Sequence, residues 1–219
     1  MGRPRIHDEQ TREALLSAAE QLLVRGGLDA VSTRAVADKA GTTTRAVYSL
    51  FGSKPELLRQ LAARAFGLLS ELIESVPQTA DPAADLISCG MAFRDWALAH
   101  PTLFRLVFAM PDTDLVTDSA VAPAGRAVLG QLRKKVELAR ATGLLADRPA
   151  GEVAVEWHAL CNGLASVELG GAPMATAKAE RIWRESLTAF LHGLSQPTTQ
   201  QAISARSRAS LAGDTSPAR

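Results

Sequence analysis

The 219-residue chain is 47% hydrophobic, 21% charged and 5% aromatic, with a formal net charge of +1. That apolar content suffices for one good core or two small ones. It excludes a disordered chain, which would be poorer in apolar residues and more strongly charged. The two cysteines, Cys89 and Cys161, make no disulfide framework and no Cys-x-x-Cys metal or redox site, and they fit a reducing cytosol. No apolar run approaches the ~18–20 residues of a membrane span. The first, residues 15–24, is interrupted by Glu20 and Gln21. With no secretory signal pattern either, the expectation is a soluble, cytoplasmic protein with no membrane partner. The small net charge hides an asymmetry: residues 1–66 hold ten Lys/Arg against seven Asp/Glu, whereas residues 67–195 hold eleven against fifteen. A mildly basic head on an acidic body suits a polyanion-facing unit joined to a body that faces something else.

Residues 11–25 carry Leu15, Ala18, Ala19, Leu22 and Leu23 at helical spacing, and Gly26-Gly27 stops the pattern. Ser32 is a natural N-cap for a helix over 33–40, ended by Gly41, and Thr43 for one over 44–51. Ser53-Lys54-Pro55-Glu56 has capping-box form and opens a helix reaching about Val76, before Pro77. Asp81-Pro82 opens a helix that ends before Pro101, and a short apolar helix spans 102–110. Residues 111–122, with three Asp and no period, read as a loop. Further helices are expected over 123–141, 149–169 and 175–194. From residue 196 the chain has too little apolar content to offset ordering entropy and is expected to be a disordered tail. No strand alternation and no internal repeat occurs. The fold class is all-α: a three-helix amino-terminal domain over 1–53, a larger helical domain over 54–195, and the tail over 196–219.

The most informative segment is 31–58, VSTRAVADKAGTTTRAVYSLFGSKPELL. It reads as two short helices around a glycine turn, with Ala35, Val36, Ala40, Val47 and Phe51 inward and the helix over 11–25 bracing both. This is a helix-turn-helix geometry. If 44–51 is the recognition helix, its first turn offers Thr43, Thr44 and Arg45 to base edges, and its free amides attract a phosphate. Tyr48, the only tyrosine, and Ser49 lie one turn on; the Tyr48 phenol can donate to a phosphate oxygen. Thr33 and Lys54 open the flanking helices and can hold phosphates on either side of a groove. Arg3 and Arg5, in a short basic arm without helical pattern, suit an adjacent minor groove. Pattern alone leaves other readings open. Helix-glycine-helix pieces recur in all-α proteins, the threonine run also fits a capped turn, and the arm also fits a frayed terminus.

These residues also carry a family resemblance. Residues 22–27 (LLVRGG), 31–41 (VSTRAVADKAG), Ala46-Val47-Tyr48 and 51–58 (FGSKPELL) resemble the DNA-binding domain of TetR-family transcriptional regulators over roughly residues 8–58. The resemblance implies backbone contacts from Thr33, Tyr48 and Lys54. It implies base-side contacts from residues 42–46, Thr42 among them, and from Ser49. The family often has a small residue where this chain has Arg45, and His where it has Ser49 and Leu50. We expect Arg45 to read a guanine.

In the body, Phe93, Trp96, His100, Phe104 and Phe108 form a dense aromatic patch. Trp157 and Cys161 belong to a second apolar stripe that is followed by Asn162. Most such residues fit a packed core; the sharper reading is a cavity between helices for a hydrophobic or aromatic effector. His100–Phe108, with Trp157 and Asn162-Gly163-Leu164, resemble the WHG-type carboxy-terminal regulatory domain of some TetR-like proteins. That family typically has His where this chain has Asn162. The helices over 149–169 and 175–194 resemble the pair through which these regulators dimerise. A dimer also follows from physics, because two heads ~34–36 Å apart read successive major grooves of a palindrome.

No phosphate-cradling glycine loop, Gly-x-Ser-x-Gly, His-Glu-x-x-His or metal-ligand spacing occurs, and the histidines at 7, 100, 158 and 192 are scattered. No catalytic residue, metal, cofactor or enzymatic activity is expected. The expectation is a TetR-like homodimeric repressor of a palindromic duplex operator, released by a small-molecule effector. The alternative is a DNA-binding activator, or a regulator without small-molecule control.

Overall fold

The computed structural model describes residues 5–108, 119–145, 148–171 and 175–195. Its elements are α1 (Arg5–Ala30), α2 (Thr33–Lys39), α3 (Thr44–Phe51), α4 (Lys54–Ser75), α5 (Pro82–Ala99), α6 (Pro101–Phe108), α7 (Ala122–Ala141), α8 (Ala150–Leu169) and α9 (Thr176–Ser195). The fold is all-α. Helix α1 begins six residues before the apolar pattern does, so Arg5 is its first residue rather than part of an irregular arm. Arg3, the loop segment 111–118 and the tail 196–219 lie outside the described residues. Gly26-Gly27 do break α1, with Gly27 at φ 65° and ψ −161°, but a last helical stretch to Ala30 follows the kink.

The described structure forms two compact units. The first joins Met1–Ser75 to Phe93–Leu129, and the second joins Val76–Ala92 to Gly130–Arg219. In the first unit Leu15, Ala19 and Leu23 of α1 are buried, as are Val36 and Ala37 of α2 and Val47 and Phe51 of α3. Leu57, Leu61 and Ala65 of α4 and Leu103 and Phe104 of α6 join them in its interior. Ala37 takes an inward position not expected for it, while Ala35 and Ala40 are only half-buried. In the second unit the interior is built around Leu86, Cys89, Val136, Trp157, Cys161, Trp183 and Leu187. Trp157 meets Phe190 edge-on at 5.6 Å, and Trp183 Nε1 donates to Glu168 Oε2 at 2.9 Å. The approach to α8 is clamped by Arg148, whose guanidinium donates to both Glu156 oxygens at 2.6 and 2.8 Å. That hydrogen bonding raises the Arg148 pKa.

Candidate nucleic-acid interface

The α2–α3 pair is shaped by local chemistry. Ser32 Oγ accepts from the Ala35 amide at 3.1 Å and caps α2, and Thr43 Oγ1 accepts from the Ala46 amide at 3.2 Å and caps α3. Between them, Gly41 sits at φ 67°. Its amide donates to Asp38 O at 3.3 Å, and the Thr42 amide to Ala37 O at 2.9 Å. This doubly bonded ending needs a left-handed residue at position 41, which glycine supplies without steric cost. The next cap is only half of the box its sequence announces. Ser53 Oγ accepts from the Glu56 amide at 3.3 Å. The Glu56 carboxylate instead takes Arg59 at 2.9 Å and Gln60 at 3.4 Å.

Val47 and Phe51 anchor α3 on its inner side. Thr43, Thr44, Arg45, Tyr48 and Ser49 are all exposed, Tyr48 by 55%, while Thr33 and Thr42 are half-buried. Five of the sequence-predicted residues thus share one short outward-facing segment. Lys54 is placed differently. It is half-buried, and its Nζ donates to Leu28 O at 2.8 Å, a carbonyl that also accepts from the Val31 amide at 3.2 Å. The ammonium therefore closes the end of α1 with one of its three donors. The sequence held a faint signal for this: the glycine break at 26–27 leaves nearby carbonyls without helical partners.

Besides Lys54, other polar contacts tie α1 to its neighbours. Arg12 of α1 bonds Gln60 of α4, Arg64 of α4 bonds Glu13 of α1 at 2.5 Å, and His100 Nδ1, at the start of α6, lies 3.7 Å from Glu20 of α1.

The sequence-predicted effector residues divide between the two units. In the first, Phe93, Trp96, His100, Phe104 and Phe108 form a continuous set of ring contacts, with centroids 5.4–6.3 Å apart. Phe108 also meets Phe66 of α4 edge-on at 6.0 Å. Trp96 is only 6% exposed, and its indole Nε1 is buried with no hydrogen-bond partner. In the second unit Trp157 and Cys161 are buried and Asn162 is half-buried, with its Oδ1 buried and unpartnered. Burial pushes the Cys161 thiol up to about 12 and the Cys89 thiol up to about 11, so both are neutral and unreactive. Burial also lowers the pKa of His158. A cleft of 320 Å³ in this unit is lined by Thr79, Asp85, Lys135 and Thr142, and one of 860 Å³ by Arg133, Arg140 and the first turn of α8. Neither is lined by a sequence-predicted effector residue. The Asp85 carboxylate accepts from Thr79 N and Oγ1, both at 2.8 Å, and so fastens the α4–α5 loop.

Comparison with known proteins decides the family. The family model described as "Bacterial regulatory proteins, tetR family" matches residues 15–61, and "Tetracyclin repressor-like, C-terminal domain" matches residues 86–190. The chain belongs to the TetR family of transcriptional regulators. Among curated relatives of this TetR-family chain, the nicotine-responsive transcriptional repressor HdnoR of Paenarthrobacter nicotinovorans is 33% identical over 82 residues, covering 37% of this chain and 41% of the relative. The transcriptional activator FasR of Mycolicibacterium smegmatis is 31% identical over 119 residues, covering 54% and 53%. The chain spans about half the length of the curated relatives it matches. A solved structure of a protein with unknown function from Rhodococcus sp. RHA1 is 27% identical, with a TM-score of 0.72 over 85% of this chain and 96% of that one. Among the described residues, no helix is long and apolar enough to cross a membrane.

Proposed function

We propose that this TetR-family chain is a repressor that binds a palindromic operator as a homodimer and is released by a small-molecule effector. The exposed face of α3 carries the reading. Thr44, Arg45, Tyr48 and Ser49 stand in solvent on a helix whose anchors, Val47 and Phe51, and whose cap, the likewise exposed Thr43, are in place without their side chains. Arg45 is assigned to a guanine edge, Thr42, Thr43, Thr44 and Ser49 to base-side contacts, and Tyr48 and Thr33 to phosphates. Lys54 keeps two donors for a phosphate while it holds Leu28 O. Arg3, which precedes α1, is assigned to a neighbouring minor groove.

The homodimer is assigned to α8 and α9. Val155 and Val167 of α8 are 55% and 60% exposed, and Ala159 and Gly163 between them are exposed as well. An uncharged outward stripe of this kind on a long helix suits burial against a second copy. Effector contacts are assigned unit by unit: to Phe93, Trp96, His100, Phe104 and Phe108 within the first, and separately to Trp157, Cys161 and Asn162 within the second. In the first unit the unpartnered Trp96 Nε1 among the rings favours a largely apolar molecule that carries a hydrogen-bond acceptor. Release then requires that the effector bind the state with DNA-incompetent head spacing more tightly.

The test is selection of duplexes from a random library by the purified protein, followed by footprinting and sedimentation. The expected result is a palindrome protected by a dimer, with Val155→Asp and Val167→Asp shifting the protein to monomer. Failure to select any duplex overturns the reading. An activator is the second reading, favoured by the similarity to FasR, which is itself named an activator. Transcription from a promoter bearing the selected site separates the two.

A further inference from the structure

We propose that Arg12 is a positioning residue for DNA recognition, seating α3 against α1 and α4 and thereby setting discrimination between operator and other DNA. The proposal rests on the DNA-binding reading of α3. That helix is eight residues long and has two buried residues, Val47 and Phe51, so its tilt depends on few contacts. Phe51 is its last residue, and the chain turns immediately after it at Gly52, with φ 71°. The Arg12 guanidinium lies over the Phe51 ring, 5.4 Å from its centroid. The same group donates through Nη1 to Gln60 Oε1 of α4 and lies 3.9 Å from a Glu9 oxygen. Gln60 is itself held, since its Nε2 donates to Glu56 Oε1 at 3.4 Å and Arg59 donates to Glu56 Oε2 at 2.9 Å.

Three helices therefore meet at one planar cation. A guanidinium suits this node because its planar face covers a ring while its edge makes a directed hydrogen bond, a geometry that the point-like lysine ammonium does not reproduce. The Arg12 side chain is 31% exposed, and of its partners the Phe51 ring is buried. Base-edge contacts depend on sub-ångström placement, and phosphate contacts depend mainly on charge. Loosening this node should accordingly lower specific binding and spare non-specific binding. The Arg64–Glu13 pair also joins α4 to α1 and contains no residue of α3, so it serves as the control.

The experiment uses the full chain, a duplex it selects from a random library, and a shuffled duplex of equal length. Affinities are measured over a salt series well below the melting temperature. Arg12→Met is expected to lower the ratio of selected to shuffled affinity about five- to tenfold, with the salt slope on the shuffled duplex unchanged. Gln60→Leu should give a similar loss, and the double variant no more than either alone. Arg12→Lys, which keeps a cation over the ring, should recover part of the ratio. Arg64→Gln should lower the melting temperature and leave the ratio intact. An unchanged ratio in Arg12→Met, or an equal loss in Arg64→Gln, overturns the proposal. A salt slope reduced by about one also overturns it, because Arg12 would then be a phosphate contact. If Arg12→Met does not fold, Arg12→Lys and Gln60→Leu decide by the same ratio. A wild-type protein that selects no duplex fails at the DNA-binding reading, whereas a selected duplex with unmoved ratios fails here alone.

Discussion

The outer face of α3 and the ring cluster of α5–α6 lie in the same compact unit and are built by opposite means. On α3 the backbone is fixed by a threonine cap and two apolar anchors, and the side chains of Thr44, Arg45, Tyr48 and Ser49 are exposed. In the cluster every ring is another ring's packing partner, at centroid distances of 5.4–6.3 Å. The difference teaches where function can be read directly. A polar side chain held in solvent by a complete scaffold is available to a partner. A buried aromatic does structural work first, and any ligand role must coexist with it.

The sharpest way to break this contrast is to truncate a member of the cluster. Phe104→Ala should cost about 3–5 kcal/mol of folding stability, seen as a reduced midpoint in urea, because a buried ring leaves a cavity that rigid neighbours fill poorly. A loss below ~1 kcal/mol would mean that the ring borders space already open.

Arg45→Ala should show the reverse pattern. Thermal stability should stay within about 0.5 kcal/mol of wild type, while operator affinity falls by ~1–3 kcal/mol and preference relaxes at one base position. An unchanged base preference in a repeated selection would remove Arg45 from direct readout.

Thr43→Ala tests the scaffold beneath that face. Losing the cap should cost about 1 kcal/mol of stability and weaken DNA binding through fraying of the first turn of α3. Thr43→Ser should restore both.

The smallest effect is one of pH. His158 in the body has its pKa lowered from 6.5 by burial, so the unfolded chain takes up its proton first. Stability should therefore decline as pH falls below about 6.5, with no change from this group above it. In His158→Gln the slope of unfolding free energy against pH should be shallower in that window. An identical slope would assign the acid sensitivity to other groups.

Much of the first unit was legible because its determinants are local. Ser32 and Thr43 cap the helices they were expected to cap, Gly41 adopts the left-handed backbone, and Val36, Val47 and Phe51 point inward. Each depends on neighbours within four residues. The start of α1 was less legible, because its first turn carries no apolar stripe, and Arg5 joins the helix without one. Glu56 went elsewhere because Arg59 and Gln60, one turn along the same face, compete for its carboxylate.

By itself, the sequence determined the all-α class, the helix-turn-helix and its caps, and the residues of α3 that face outward, since periodicity and capping act over one or two turns. Tertiary structure alone decided that Lys54 closes Leu28 O, that Arg12 gathers Phe51 and Gln60, and that the Trp96 indole is buried with its N–H unpaired. Those outcomes join residues tens of positions apart. Their geometry comes from how helices pack, which one-dimensional spacing does not encode.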